Sequence, residues 1–153
     1  MHISIIAIGR MQRGAEHSLM TGYLGRLPWK HSVTEIEIKK QSANARERKA
    51  REAEKLLAAV PAGATIVALD EGGKALKSRE LAVKIDGWQA TGVRDIAFII
   101  GGADGLDASV IAKAQLKLAF GSLTWPHMLV RVMLAEQIYR TWSINAGHPY
   151  HRD

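Results

Sequence analysis

The chain has 153 residues, about the size of one domain, and its 21 Lys and Arg against 15 Asp and Glu give a net charge of +6. The absence of cysteine excludes disulfide bonds, thiolate zinc sites and a cysteine nucleophile, and permits a reducing compartment. The positive charge favours a polyanionic partner such as nucleic acid, because the summed field attracts phosphates. We expect a single domain over residues 1–153.

Strand-like and helix-like stretches alternate along the chain. The apolar start ends at Gly9, too early for a signal peptide or a membrane span, and we interpret it as the first strand of a cytoplasmic protein. In chain order, the pattern predicts strand 3–8, helix 15–27, strand 33–38, helix 43–60, strand 65–69, helix 78–91, strand 96–100, helix 108–114, strand 116–120 and helix 126–145. This alternation predicts an α/β fold with a mostly parallel sheet covered on both faces.

The second predicted helix is densely charged. Five basic residues interleave with three glutamates there: Arg46, Arg48, Lys49, Arg51 and Lys55 with Glu47, Glu52 and Glu54. Such runs most often form a solvated helix face, and a contact with RNA is the alternative.

Three predicted strands end in glycine-bearing turns, at residues 69–74, 100–105 and 120–122. If the strands are parallel, these turns share one edge of the sheet, where α/β proteins bind ligands; tight strand exits are the alternative reading. The glycine spacing of dinucleotide sites and the Gly-Lys-Ser/Thr of nucleotide triphosphate sites are both missing. Because Asp104 would repel phosphate, a neutral or cationic ligand such as S-adenosylmethionine fits better.

The six histidines do not predict a metal site. His148 and His151 are three residues apart and His127 could join them, but neither cysteine nor an acidic cluster completes a ligand set. Nucleophilic catalysis has equally little support, since Ser122 lacks a Gly-x-Ser-x-Gly motif.

The last helix carries polar side chains at helical spacing. His127 and Arg131, four residues apart, are predicted to share one face. Glu136 precedes Arg140 by four residues, which favours an intrahelical ion pair, while the guanidinium of Arg140 also suits a phosphate or a base.

Aromatic residues lie within this helix and on either side of it. Trp125 and Trp142 are interpreted as core or interface residues rather than as stacking platforms for bases. In the tail, Tyr150, His151 and Arg152 combine stacking with charge, as nucleic-acid sites do, and a disordered end is the alternative.

Over nearly its whole length the chain resembles the small SPOUT-class rRNA methyltransferases of the RlmH family. The shared segments are the strand Ile-Ile-Ala-Ile-Gly, Leu69-Asp-x-x-Gly-Lys, Ile100-Gly-Gly-x-x-Gly-Leu, Pro126-His-x-Leu-x-Arg-Val, Glu136-Gln-x-Tyr-Arg and Pro149-Tyr-His-Arg. The resemblance implies a C-terminal trefoil knot, in which the last strand and helix thread through a loop. It also implies a homodimer that uses S-adenosylmethionine to methylate N3 of a pseudouridine in helix 69 of 23S rRNA, with the assembled ribosome as the expected substrate and no membrane association.

By the same resemblance, the C-terminal region divides into a cofactor part and an RNA part. The implied cofactor contacts are Leu69, Gly101, Gly102, Phe120, Gly121, Ser122, Leu123, Thr124, Trp125 and Pro126. The expected RNA contacts are Arg131, Arg140, Tyr150, His151 and Arg152. We hypothesise that Arg140 and Arg152, with His127 and His151 nearby, position the RNA and stabilise the anion formed on the base.

Two other function classes remain compatible with the sequence. One is a non-enzymatic RNA-binding or ribosome-assembly protein of α/β fold, which would not need S-adenosylmethionine. The other is a nucleotide-binding α/β regulator, against which the missing phosphate motifs and the basic tail count.

Overall fold

A computed structural model describes residues 1–39 and 44–152 of the chain. Strands and helices alternate throughout, as predicted. They are β1 (His2–Ile8), α1 (Ala15–Arg26), β2 (Lys30–Ile36), α2 (Ala45–Ala58), β3 (Thr65–Ala75), α3 (Ser78–Ala90), β4 (Asp95–Ile100), α4 (Ala108–Lys113), β5 (Leu116–Ala119) and α5 (His127–Asn145). Residue 43, the predicted start of the second helix, lies outside the described residues.

All five of these strands pair in parallel in one sheet, in the order β2-β1-β4-β3-β5. The predicted α/β class is therefore confirmed. Because the strands are parallel, the turns that follow β4 and β5 and the bend within β3 meet at the carboxyl edge of the sheet.

Each face of the sheet has its own hydrophobic core, because successive side chains of a strand point to opposite faces. On one face, Ile3 and Ile5 of β1 and Phe98 of β4 pack against α1, α3 and α5. On the other, Ile6 and Ile99 pack against α2 and α4. The sheet, including its carboxyl edge, therefore lies between two layers of helices.

Two strand boundaries differ from the prediction. β2 begins at Lys30 rather than at residue 33 and ends at Ile36; it lies at the sheet edge, where its polar first half pairs with β1 and faces solvent. β3 continues past Leu69 to Ala75, where a turn was expected, with a register shift against β5 between Leu69 and Lys74.

Gly73 explains how β3 continues across this irregularity. A Cβ at this position would lie 2.7 Å from the carbonyl carbon of Lys117 and 2.8 Å from the backbone nitrogen of Leu118. Only glycine lets the two backbones approach so closely. Gly73 therefore serves strand packing.

No helix in the described part of the chain is long and apolar enough to cross a membrane.

Candidate functional site

A crevice of about 550 Å³ opens where the three glycine-bearing segments meet. This volume is in the range of small-molecule sites. Eight of the ten predicted cofactor residues line it: Leu69, Gly101, Gly102, Phe120, Gly121, Leu123, Thr124 and Trp125. Ser122 and Pro126 belong to the same loop but are not among the lining residues. The predicted convergence of the three segments is thus observed, although the first is an irregularity within β3 rather than a turn. Their contact with a cofactor stays a prediction.

Several lining residues were not predicted from the sequence. They include Lys49, Asp70, Glu71, Ala103, Leu106 and Val130. Asp70 and Glu71 directly follow Leu69 and could have been found from that motif. Lys49 could not, because it comes from α2, far away in sequence, and only the packing of α2 brings it to the crevice.

Glycines shape the two loops that form the crevice walls. A Cβ on Gly101 would come within 2.9 Å of the backbone of Gly105, so the loop after β4 can fold tightly on itself only with glycine there. Gly121 has φ +91°, in the left-handed region that favours glycine. The Nε1 atom of Trp125 donates to the carbonyl oxygen of Phe120 at 2.9 Å and closes the second loop.

Asp104 in the first loop is neutralised by an arginine of α2. The Nε atom of Arg48 donates to Oδ2 of Asp104 at 2.8 Å, and Nη2 donates to Oδ1 at 3.3 Å. These hydrogen bonds hold the pKa of the Asp104 carboxyl below its usual range. Asp104 stays ionised, but the positive charge of Arg48 offsets it. The prediction that Asp104 would repel phosphate did not include this pairing.

Arg131 does not belong to an RNA-binding surface, and that prediction is wrong. Its side chain is 0% exposed, and its Nη2 atom donates to the carbonyl oxygens of Ile8 at 2.7 Å and Gly9 at 2.8 Å. Its Nη1 atom contacts Oε1 of Glu35 at 3.4 Å. Burial lowers the pKa of Arg131, and the Glu35 carboxylate opposes this shift. Complete burial and the hydrogen bonds to backbone carbonyls give Arg131 a structural role.

Arg140 lies in a polar cluster with Glu136 and the C-terminal tail. Nε and Nη2 of Arg140 both donate to Oε1 of Glu136, which confirms the predicted i, i+4 pair. The hydroxyl of Tyr150 donates to the same carboxylate oxygen at 2.9 Å, and Nη1 of Arg140 lies 3.1 Å from Nδ1 of His151. The tail is therefore ordered against α5.

Aromatic rings of α5 and an arginine of α1 pack against the tail. The Tyr139 and Tyr150 rings meet edge to face, with centroids 4.8 Å apart. The guanidinium of Arg26 lies 4.7 Å from the centre of the Tyr139 ring and 5.8 Å from that of Tyr150. Trp142 stacks on Tyr139 with centroids 5.6 Å apart, in agreement with a packing role for this tryptophan.

The predicted catalytic residues occupy two separate places. His127 begins α5 and lines the crevice, whereas Arg140 is 13 residues further along the same helix. At 1.5 Å per residue, this separation is about 20 Å. His151 lies with Arg140. Arg152 is exposed and adjacent in the tail. A single copy of the chain therefore does not assemble the predicted set.

No group of three side chains suited to a metal ion occurs within residues 1–39 and 44–152.

A family model described as "Predicted SPOUT methyltransferase" matches residues 1–151, which include the crevice, α5 and most of the tail. The chain belongs to this SPOUT methyltransferase family. Membership implies the C-terminal trefoil knot, and the five-stranded parallel sheet is observed directly. Membership selects methyl transfer among the three function classes compatible with the sequence.

Curated relatives match this SPOUT methyltransferase chain from end to end. A protein of Rhodospirillum centenum is 52% identical over 152 residues, with 99% of each chain covered. Proteins of Rhodospirillum rubrum and Ruegeria pomeroyi are 48% and 46% identical, again with 99% of each chain covered. All three are named "Ribosomal RNA large subunit methyltransferase H".

Proposed function

We propose that this protein transfers a methyl group from S-adenosylmethionine to N3 of a pseudouridine in helix 69 of 23S rRNA. The observation that carries the proposal is the crevice formed by the three strand ends, in a chain whose relatives are named as large-subunit rRNA methyltransferases. A substrate in the ribosome implies a cytoplasmic location.

The residues around the crevice suit S-adenosylmethionine. Leu69, Leu106 and Phe120 offer apolar surface for the adenine, and the glycine loops expose backbone groups that can recognise its polar edge. Asp70 and Glu71 also line the crevice and favour a ligand with positive charge, such as the sulfonium and the ammonium group. These residues would hold the cofactor.

The chemistry requires alignment and the handling of one proton. The bound cofactor supplies an activated methyl group, whose bond to sulfur breaks as a bond to N3 forms. N3 must pass its proton to a base, either a neighbouring side chain or a solvent water, and the charge that develops on the flanking carbonyl groups needs a cation nearby. We assign that stabilisation to Arg140 and Arg152, and the positioning of the RNA to Tyr150 and His151. His127 is the histidine whose side chain lines the crevice itself.

A homodimer would bring the two separated parts together. The tail and Arg140 lie about 20 Å from His127 in one chain, so we propose that the tail of one protomer completes the crevice of its partner. Exposed apolar side chains near the crevice agree with a covering partner: Leu123 is 69% exposed, Trp125 39% and Leu129 38%.

The direct test is transfer of labelled methyl from S-adenosylmethionine to 70S ribosomes, 50S subunits and free 23S rRNA, followed by mapping of the modified nucleotide. We expect labelling of a helix 69 pseudouridine in 70S ribosomes and less in free rRNA. Absence of transfer to all three substrates, with the protein folded, would contradict the proposed activity.

Arg140→Ala separates a catalytic role from a structural one. We expect kcat to fall by roughly 100-fold or more, as on removal of a group that stabilises transition-state charge. The melting temperature should change little, because an i, i+4 helical ion pair contributes only about 0.5 kcal/mol and Glu136 keeps its hydrogen bonds from Gln137 and Tyr150. A large drop in melting temperature with proportionate loss of activity would instead favour a purely structural pair.

A further inference from the structure

Two side chains of α2 contact the glycine loop behind the crevice, residues 101–105. Arg48 forms the two hydrogen bonds to Asp104 described above. Glu52, one helical turn later, places its carboxylate against Gly102, whose backbone N–H favours the charged form of that carboxylate. These contacts reach both the start and the middle of the loop from one helix.

Glu52 is packed directly against the loop backbone. A Cβ on Gly102 would lie 2.8 Å from Oε1 and 3.1 Å from Oε2 of Glu52. The Oε2 atom is buried and has no hydrogen-bond partner among the described residues. Burying a carboxylate beside a backbone in this way costs free energy, so the contact calls for a compensating role.

The core holds α2 firmly behind the loop. Arg48, Glu52 and Leu56 are spaced four residues apart and therefore share one helix face. Leu56 is buried in the core that also contains Ile99 of β4 and Leu106, which follows the loop. The same helix face thus packs against the residues on either side of the loop and contacts the loop itself.

We propose that Arg48 and Glu52 are positioning residues that hold the 101–105 loop in the conformation that binds the cofactor. The proposal rests on the proposed function, since it assumes that S-adenosylmethionine occupies the crevice. The sequence allowed two interpretations of the charged face of α2, a solvated surface or a contact with RNA. The proposal gives two of its residues a third role, contact with the loop.

The physical reason is preorganisation. Gly101, Gly102 and Gly105 make the loop intrinsically flexible, and a flexible loop loses conformational entropy when it orders around a ligand. Contacts from a rigid helix remove that cost before binding. Loss of one contact should therefore weaken cofactor binding without altering the alignment of the methyl group once the cofactor is bound.

Glu52→Ala tests this role. We expect the Kd for S-adenosylmethionine, measured by calorimetry, and its KM to rise about tenfold, because the loop loses the contact between the Glu52 carboxylate and Gly102. The kcat at saturating cofactor should stay within about threefold of wild type. Glu52→Gln retains an acceptor for the Gly102 N–H and should restore most of the affinity. Glu54→Ala, on the exposed side of α2, is the matched control and should leave the Kd unchanged.

Arg48→Ala distinguishes loop positioning from charge. If Arg48 positions the loop, S-adenosylmethionine and S-adenosylhomocysteine, which lacks the sulfonium charge, should both bind several-fold more weakly, by the same factor. If the only effect of Arg48 is to offset the charge of Asp104, its removal should strengthen binding of S-adenosylmethionine relative to S-adenosylhomocysteine. That second pattern would overturn the positioning role of Arg48.

The outcomes separate this inference from the proposed function. If the wild-type protein binds S-adenosylmethionine and Glu52→Ala binds it equally well, the positioning role is wrong and the function stands. A variant that melts at a lower temperature but has a wild-type Kd while folded would show a stabilising role only, and would also overturn the inference. If the wild-type protein does not bind S-adenosylmethionine, both proposals fail.

Discussion

Arginines that look alike in the sequence have very different environments in the C-terminal helix and tail. Arg131 is completely buried and bonded to backbone carbonyls at the end of β1. Arg140 is partly exposed beside Glu136. Arg152 is exposed. Because guanidinium groups serve both buried ion pairs and phosphate recognition, residue type alone does not separate these roles.

Arg131→Ala should destabilise the protein strongly. The change leaves Glu35 without its cation and removes the donors to the carbonyl oxygens of Ile8 and Gly9. Loss of one partner of a buried ion pair costs about 3 kcal/mol in the free energy of unfolding, which urea denaturation can measure. Arg152→Ala should change it by less than about 0.5 kcal/mol. An unchanged urea midpoint for Arg131→Ala would restore a surface role for this arginine.

The carboxyl group of Asp104 should titrate abnormally, and Arg48 should be the reason. The hydrogen bonds from Arg48 lower the pKa of Asp104 in the folded protein. Their contribution to stability is therefore present above the usual aspartate pKa and is lost as the pH falls through the lowered one. Carbon-detected NMR titration should show the pKa of Asp104 rising towards its usual value in Arg48→Ala. An identical titration curve in the two proteins would be evidence against this pair.

At the scale of elements, local sequence predicts where the helices begin and end. It fails for β3, whose length depends on pairing with another strand. The helices begin and end within two residues of their predicted positions wherever both ends are described. β3 is six residues longer than predicted, because its second half pairs with β5 after an irregularity. The glycines in this segment resemble an ordinary turn in the sequence, and only the approach of β5 gives Gly73 its role.

Gly73→Ala should weaken the β3–β5 pairing. The added methyl group would overlap backbone atoms of Lys117 and Leu118, which cannot rotate away as a side chain could. We expect a loss of about 2 kcal/mol in the free energy of unfolding. Gly22→Ala, in the interior of α1 with no atom within 4 Å of the new Cβ, should instead add about 0.5–1 kcal/mol. Thermal denaturation of both variants measures this contrast, and equal stability would argue against the close approach.

At the scale of the whole molecule, the candidate site is divided between the two ends of α5. The crevice and His127 lie at its start, and Arg140 with the tail lies near its end. The helix contains no internal glycine or proline that would kink it, so its two ends stay apart. We therefore propose that a complete site forms only when two chains associate.

Mixed dimers can test whether the tail acts across the interface. One chain carries Ala103→Trp, which fills the crevice, and the other lacks residues 150–153; each homodimer should be inactive. If the tail acts on the partner's crevice, the purified mixed dimer retains one intact site and about half of the wild-type activity. If the tail acts within its own chain, the mixed dimer is inactive.

A reciprocal mixed dimer provides the control. It pairs a wild-type chain with a chain that carries both changes. Action across the interface now predicts no activity, since each site lacks either a crevice or a tail. Action within one chain predicts about half of the wild-type activity. Activity in this control, with none in the first mixed dimer, would contradict the proposed action of the tail across the interface.

The sequence by itself determined the α/β class, the order of the elements and the glycine-bearing segments of the crevice. These features depend on local chemistry: the period of apolar residues, the freedom of glycine and the helical spacing of Glu136 and Arg140. The residues that carry the family resemblance also lie in continuous short segments, so the cofactor loop 120–126 could be named before the fold was known.

Only the tertiary structure decided the roles that depend on partners distant in the chain. Arg131 has a structural role because the end of β1 supplies two carbonyl acceptors and β2 supplies Glu35. Because α2 packs behind the glycine loop, Lys49 lines the crevice, and Arg48 and Glu52 contact the loop itself. The physical reason is common to both cases: burial and pairing of a charge depend on atoms that come together only when the sheet and its two helical layers have formed.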